Sequence, residues 1–152
     1  MRAVGIVRHI DDLGRIVIPR EIRRSMRIRE GDPMEIFLDG DCIAFKKYSP
    51  LSFFVDHAHE MRNALSVNHI SAAIFDSDKL LSGPSSFKIS IPPDEWSNIS
   101  QPATAWKSMF ITPIFSDGGQ IGFICYKNLH NDESIHEMVK LVARYFSNMA
   151  ER

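Results

Sequence analysis

Four short apolar-rich runs, separated by turn-type residues, predict strands in the first 48 residues. The runs cover residues 4–10, 15–18, 34–38 and 42–46. Short runs rich in β-branched and other apolar residues and bounded by Gly, Asp or Pro are typical of strands. Asp11-Asp12-Leu13-Gly14 joins the first two runs and has turn-type residues at its ends. Asp39-Gly40-Asp41 joins the last two and predicts a hairpin.

A short helix is predicted between the second and third runs. Pro19 fits the first turn of a helix, because the N–H that proline lacks has no partner there. In a helix over residues 19–26, Ile22 and Met26 point toward a core. The positions i, i+3, i+4 and i+7 on the other face are all arginine: Arg20, Arg23, Arg24 and Arg27.

Residues 50–66 have apolar positions at helical spacing. Ser49 and Pro50 can start a helix over residues 50–66. A last helix begins after Asn131 or Asp132 and has a heptad-like apolar face. Between them lie strand-like runs at 69–75, 79–81, 87–91, 109–115 and 121–126, and a helical turn is expected at 94–99. The chain therefore divides into two domains, residues 1–48 and 49–152.

The apolar faces of both domains predict association with other copies of the chain. A head of about 48 residues is too small to bury its apolar residues alone, so two chains are expected to interleave. A second interface, giving a tetramer, is predicted on the two helices of the C-terminal domain. Its residues are Leu51, Phe54, Ala58, Ile135, Met138, Val142, Tyr145 and Met149. The alternative for Val142 is a place in the domain's own core.

Charge is segregated along a chain whose net charge is only −1. Eight arginines and three acidic residues fall in the first 29 residues, whereas residues 30–45 hold five acids and no base. Arginine suits phosphate and guanine edges because its planar guanidinium donates in a fork. The head is therefore predicted to bind nucleic acid, and the alternative is an ordinary solvated surface. The candidates are Arg8, Arg15, Arg20, Arg23, Arg24 and Arg27.

No cofactor, metal site or catalytic group is expected. His57 and His59 lie about 200° apart on a helix, and His130 and His136 lack the spacing of a helical zinc pair. Cys42 and Cys125 are expected to be buried small apolar residues in a reducing cytosol. Trp96 and Trp106 are expected in a core or interface, with contact to a small effector as the alternative. No apolar run long enough for a membrane span is present, and a cytoplasmic protein is expected.

Four segments of the head form a distinctive set: Gly5-Ile6-Val7-Arg8, Asp12-Leu13-Gly14-Arg15-Ile16-Val17-Ile18-Pro19, Glu21-Ile22-Arg23-Arg24 and Glu35-Ile36. With these segments the first 48 residues resemble the DNA-binding domain of the AbrB family of bacterial transition-state regulators. Residues 27–33 and 46–50 also fit the sporulation-regulator branch of that family. The resemblance implies a swapped-hairpin β-barrel shared by two chains. It also implies DNA contacts by Arg8, Arg15, Arg23 and Arg24, with Arg20 and Arg27 as helpers on the helical stripe.

The order helix, strands, helix in residues 49–152 resembles a GAF-type sensor domain. Thr112-Pro113-Ile114 and Gln120-Ile121-Gly122-Phe123-Ile124 resemble the last hairpin of that fold. The segment that would cover a ligand is shortened to residues 82–101, so an effector stays unidentified. The predicted class is therefore α+β: a swapped-hairpin barrel domain followed by a GAF-like α/β sandwich.

Together these features predict a transcriptional regulator that binds DNA with loose sequence preference, and the family resemblance alone implies that it acts on sporulation or transition-state genes. The alternative is an antitoxin of the same head fold, which binds a toxin protein and its own promoter. Antitoxins usually carry an acidic, poorly folded tail, whereas residues 49–152 are predicted to fold. A small enzyme is the third class, and no catalytic constellation supports it.

Overall fold

The computed structural model describes residues 5–76, 79–87, 89, 91, 99–117 and 119–151. The chain splits into two compact units, Met1–Tyr48 and Ser49–Arg152. Each unit mixes helix and sheet, so the expected mixed α and β character is confirmed. Within the described residues no helix is both long and apolar enough to cross a membrane.

The first unit contains one short helix followed by one hairpin. Helix α1 is Arg20–Ser25, strand β1 is Met34–Asp39 and strand β2 is Cys42–Lys47. The strands pair antiparallel from Met34 opposite Lys47 to Asp39 opposite Cys42, which leaves a two-residue loop. Gly40 has a φ of +60° in that loop, a conformation that glycine adopts without steric cost. The predicted helix and second hairpin are present.

The two strand-like runs before the helix are not strands in this chain. Residues 5–10 and 15–18 have no strand assignment, although a turn joins them. A strand needs a hydrogen-bonded neighbour, and the described part of this single chain provides none for these runs. Their apolar side chains stay outside a core: Val7 is 81% exposed and, on the hairpin, Leu38 is 78% exposed.

The second unit is built around one five-stranded antiparallel sheet. A 3-10 helix, Pro50–Phe54, leads directly into helix α2, Val55–Val67. The strands are β3 (Ala72–Asp76), β4 (Lys79–Ser82), β5 (Thr104–Trp106), β6 (Met109–Ser116) and β7 (Gly119–Tyr126), followed by helix α3 (Glu133–Ala150). The strand order is β4-β3-β7-β6-β5. The first and last strands in sequence therefore lie side by side in the sheet interior.

Both faces of this sheet are covered. Ala72 and Ile74 of β3 pack into a cluster with the helices, whereas Ala73 and Phe75 pack into a second cluster on the other face. Because side chains alternate across a strand, burial on both faces makes all five residues of β3 buried. This explains why β3 reads as a continuous apolar run instead of an alternating one.

Three expectations about the second cluster need correction or stay open. Phe87, Ile89 and Ile91 are buried at alternate positions but belong to no strand in the described chain, in contrast to the predicted strand 87–91. Strand β5 was not predicted, because three residues are too few to show a period. Residues 94–98 of the expected helical turn, and Trp96 with them, lie outside the described residues. Trp106 packs against this cluster as a core residue.

The helix starts follow their capping residues. The Ser49 hydroxyl accepts a hydrogen bond from the Ser52 N–H at 3.2 Å, and Pro50 is the first helical residue. The Asp132 carboxylate accepts from the Ser134 N–H at 2.9 Å, which makes Asp132 the N-cap of α3. The Ser134 hydroxyl, which donates to the same carboxylate, and then the Ser134 N–H lower the pKa of Asp132. Ser49 and Asp132 therefore cap as predicted, although the first helix begins with a 3-10 turn.

The predicted oligomerisation residues fall into two groups. Leu51 and Ala58 are fully buried inside the second unit. They are therefore core residues, and the prediction that they lie in an interface between chains was wrong. Periodicity identifies the apolar face of a helix but not what covers it. The remaining residues are half-buried within the single chain: Phe54, Ile135, Met138, Val142, Tyr145 and Met149.

The two cysteines differ. Cys125 is buried in β7, and burial raises the pKa of its thiol to about 12. Cys42 is exposed in β2, so its expected burial was wrong for the single chain. The reason is that the hairpin of the first unit is itself mostly exposed.

Candidate nucleic-acid interface

The turn before the helix is organised by Asp11. Its carboxylate accepts hydrogen bonds from the N–H groups of Leu13 and Arg15 at 3.1 and 2.8 Å. The Arg15 guanidinium donates to the same carboxylate at 2.8 Å. The backbone bond from Arg15, then its guanidinium, lower the pKa of Asp11. Asp11 is therefore ionised at neutral pH and fixes the place of Arg15, which sequence patterning did not reveal.

Helix α1 is short because its ends are both defined by local chemistry. Pro19 precedes it in an extended conformation, and the Arg23 N–H donates to the Pro19 carbonyl at 3.0 Å. The helix contains no fully buried residue, and Ile22 is half-buried. Arg20, Arg23 and Arg24 are exposed along it. The predicted arginine face is therefore present for these three residues.

Arg27 lies beyond the helix, which corrects its predicted place on the helical stripe. Its φ is 53°, in the left-handed region. The Ile28 N–H donates to the Arg23 carbonyl at 2.8 Å and the Arg27 N–H to the Arg24 carbonyl at 3.3 Å. This is the Schellman pattern of a helix C-terminus, in which glycine usually takes the left-handed position. Sequence periodicity missed it because arginine rarely adopts this conformation.

The residues after α1 are tied to the end of the hairpin. The Lys47 ammonium lies 3.1 Å from the Asp32 carboxylate and 3.5 Å from the Arg27 carbonyl oxygen. The Arg29 N–H also donates to the Asp32 carboxylate, at 2.8 Å. Lys47 therefore helps to hold the left-handed turn at Arg27. Sequence patterning did not identify Lys47 as a residue that holds this turn. The pair Lys46-Lys47, which follows the acid-rich segment 30–45, was the available indication.

All six candidate arginines are exposed, and they lie on the short helix or in the segments directly before and after it. Arg8 and Arg15 precede it beside the Asp11 turn, Arg20, Arg23 and Arg24 lie on it, and Arg27 follows it. Exposed guanidinium groups on a hydrogen-bonded framework can donate to phosphate oxygens and base edges. Their role in binding stays a prediction.

Three histidines of the second unit, His57, His59 and His136, have structural partners. The His57 ring nitrogen lies 2.9 Å from the Tyr145 hydroxyl, and that of His59 lies 2.9 Å from the Ser82 hydroxyl. His136 is buried with its Nδ1 2.7 Å from the Tyr126 hydroxyl. Over the described chain, no three His, Cys, Asp or Glu side chains are grouped to hold a metal ion.

Comparisons with known proteins identify the type of the first unit. Residues 7–48 match the family described as antidote-toxin recognition MazE, bacterial antitoxin. The chain is 59% identical over 81 residues to stage V sporulation protein T of Bacillus subtilis, which covers 51% of this chain and 45% of that protein. It is 52% identical over 50 residues to the transition state regulatory protein AbrB of the same species, covering 33% of this chain and 52% of AbrB.

The chain is also similar in sequence to a solved structure. The solution structure of the N-domain of the transcription factor AbrB is 52% identical, with coverage of 33% of this chain and 96% of that one and a TM-score of 0.31. The chain spans about half the length of the curated relatives it matches. The match of 81 residues to stage V sporulation protein T is longer than the first unit, so it continues into the second. The expected resemblance to the sporulation branch is confirmed, and residues 7–48 form a domain of the MazE/AbrB type.

Proposed function

We propose that this chain is a DNA-binding transcriptional regulator of sporulation or transition-state genes. The observation that carries the proposal is the concentration of exposed arginines in a MazE/AbrB-type domain, around a helix and turn fixed by hydrogen bonds. The relatives named above are a sporulation protein and a transition-state regulator. The DNA contacts are assigned to Arg8, Arg15, Arg20, Arg23, Arg24 and Arg27.

The head acts as a homodimer in this proposal. An apolar cavity of about 700 Å³ opens in the first unit. Its lining includes Ile6, Ile16, Ile22, Ile43 and Phe45. Burying apolar surface stabilises a fold by roughly 25 cal/mol per Å², and Ile6, Ile16 and Ile43 leave 43%, 43% and 61% of their surface in water. In this proposal a second chain fills the cavity and pairs with residues 5–10 and 15–18. The two chains together then complete a swapped-hairpin barrel.

The second unit is proposed to be a GAF-like domain that joins dimers into a tetramer. Its helix–sheet–helix order and the β6–β7 hairpin, with Ser116 opposite Gly119, support this assignment. Half-buried apolar residues on the 3-10 helix and α3, among them Phe54 and Val142, provide the proposed interface. A small-molecule effector of this domain remains unassigned.

An antitoxin is the second candidate function, because residues 7–48 match a family described by toxin recognition. The second unit argues against it. Residues beyond 48 form a sheet covered on both faces, with a buried core. An acidic segment that folds only on a toxin would lack such a core. A toxin that co-purifies in a fixed ratio with the full chain would favour the antitoxin.

The regulator proposal predicts loose sequence choice. The head contains no Asn or Gln, the side chains that read adenine edges in the major groove. Arginine contacts to phosphate and groove shape are expected to favour flexible A/T-rich DNA. Genomic footprinting of the full chain should show many sites with a short degenerate motif. A long invariant operator would contradict this expectation, and the absence of protected DNA would reject the regulator.

Arg27→Gly is expected to separate stability from DNA binding. Glycine removes the cost of the left-handed conformation, about 1–2 kcal/mol, but adds flexibility to the unfolded chain worth about 0.5–1 kcal/mol. A net gain of roughly 0.5–1 kcal/mol in the unfolding free energy should follow, measured by urea denaturation. Binding to DNA should weaken, because a guanidinium is lost.

Arg27→Ala is the matched control. Alanine also removes the guanidinium but keeps the steric cost at positive φ. It should weaken DNA binding as Arg27→Gly does, without the gain in stability. Equal stability of the two variants would show that the left-handed turn does not strain the chain, and unchanged binding in both would remove Arg27 from the interface.

A further inference from the structure

A small polar cavity lies at the end of α2, where the chain turns toward β3. Its volume is about 230 Å³, below the size typical of sites for drug-sized ligands. The polar lining comes from Arg62, Ser66, His69 and Ser71, and Ile70 and Ala72 contribute apolar surface. A volume of this size suits a small ion or the charged end of a small metabolite.

Arg62 has unused donor capacity at this cavity. One terminal nitrogen of its guanidinium donates to the Asn63 side-chain oxygen. Its Nε is buried and has no hydrogen-bond partner among the described residues. A buried N–H without a partner is unfavourable, and one on a charged group more so. The guanidinium has five N–H donors, so terminal N–H groups beyond the one bonded to Asn63 can donate to an acceptor atom that enters the cavity.

His69 is placed beside Arg62 by an uncommon backbone conformation. Its φ is 60°, and the Ile70 N–H donates to the Leu65 carbonyl at 3.0 Å while the His69 N–H donates to the Ser66 carbonyl at 3.0 Å. These are the two bonds of a Schellman motif, with histidine at the position that favours glycine. Residues held in rare backbone regions concentrate at binding sites, and this one contributes an imidazole to the cavity.

The electrostatic setting of the cavity favours an anion. Along its described lining there is one guanidinium and one imidazole, and no carboxylate. The C-terminal end of a helix opposes an anion through its exposed carbonyls. Here those carbonyls already accept hydrogen bonds: Ala64 from the Asn68 side chain, and Leu65 and Ser66 from the following backbone. The guanidinium therefore dominates the charge at this site.

We propose that Arg62, His69, Ser66 and Ser71 form a binding site for a small phosphate-type oxyanion. The guanidinium and imidazole donate N–H groups and the two serines donate hydroxyls, which matches the several acceptor oxygens of a tetrahedral anion better than the two of a carboxylate. The site lies within the second unit, and its existence does not depend on the DNA-binding proposal. The proposed site assigns a phosphate-type oxyanion to the second unit as its class of ligand.

The test is isothermal titration of the full chain with inorganic phosphate at constant ionic strength. One saturable site is expected to lose at least about tenfold in affinity in Arg62→Gln, the amount associated with one hydrogen bond to a charged group. Arg144→Gln, which removes an exposed arginine from α3, should leave this site unchanged and controls for net charge. Acetate in place of phosphate should bind more weakly, and equal binding of acetate would overturn the phosphate assignment.

His69→Asn is the second variant, because asparagine tolerates positive φ and so preserves the turn. It should also weaken phosphate binding, with circular dichroism confirming the fold of each variant. Equal phosphate affinity in the parent chain, Arg62→Gln and His69→Asn would overturn the proposal, as would the absence of a saturable site. DNA binding measured on the same Arg62→Gln protein should be intact, which separates failure of this site from failure of the proposed function.

Discussion

Replacing both Arg23 and Arg24 by alanine is expected to make DNA binding far less sensitive to salt. Each phosphate contact contributes roughly 0.9 to the slope of log K against log salt concentration. A dimer carries both arginines twice, so the slope should flatten by about 3.6. Over the tenfold range from 1 M to 0.1 M salt, this change in slope corresponds to an affinity loss on the order of a thousandfold. Fluorescence anisotropy with a labelled A/T-rich duplex over a salt series measures both quantities.

Two further variants make this result specific. The Arg23→Lys, Arg24→Lys protein keeps the charge and should retain most of the slope, while losing affinity that depends on the guanidinium fork. Arg144→Ala removes an exposed arginine of α3 and should leave the slope unchanged. Alanine is the best helix former, so α1 should persist, as circular dichroism can verify. An unchanged slope in the folded double variant would remove this helix from the interface.

Introducing Glu at Val142 is expected to divide a tetramer into dimers. Val142 is half-buried in the single chain and packs beside the core that the helices share with the sheet. A second copy on this face would complete its burial. An unpaired carboxylate there would cost several kcal/mol. Light scattering should show the mass halved, while each dimer still binds one DNA segment.

The control for this variant is Arg144→Glu on the same helix. Position 144 is exposed, so its added negative charge should not change the mass. A folded Val142→Glu protein of unchanged mass would contradict the proposed interface. Complete unfolding, seen by circular dichroism, would instead place Val142 in the core of its own unit. Its half-buried state in the single chain argues against that second outcome.

Elements with strong local signals could be predicted from the sequence. Pro19 marks the start of α1, and Asp39-Gly40-Asp41 marks the connection between β1 and β2, because both act through their own backbone preferences. Asp132 marks the start of α3 for the same reason. These signals need no information about the rest of the chain.

Features that depend on distant or missing neighbours could not be predicted. Residues 5–18 contain two apolar runs like those of strands, yet pairing needs another strand, and no pattern within the segment tells whether this chain provides it. Leu51 and Val142 both lie on apolar helix faces, but only packing shows that the first is fully buried and the second is not. Of the candidate site, the arginines were evident in sequence, whereas the Asp11 turn and the left-handed Arg27 were not.

The strand-like runs of the head that lack a partner within the described chain have a consequence for dosage. If two chains must exchange residues 5–18 to complete one barrel, the folded head forms in a second-order step. At low abundance the quantity of complete heads then rises with the square of the chain concentration, and its stability cannot be separated from protomer concentration. A twofold change in expression would give up to about a fourfold change in binding-competent protein. In a regulator built in this way, the amount of DNA-binding protein depends steeply on the rate of its own synthesis, whether or not a ligand binds the second unit.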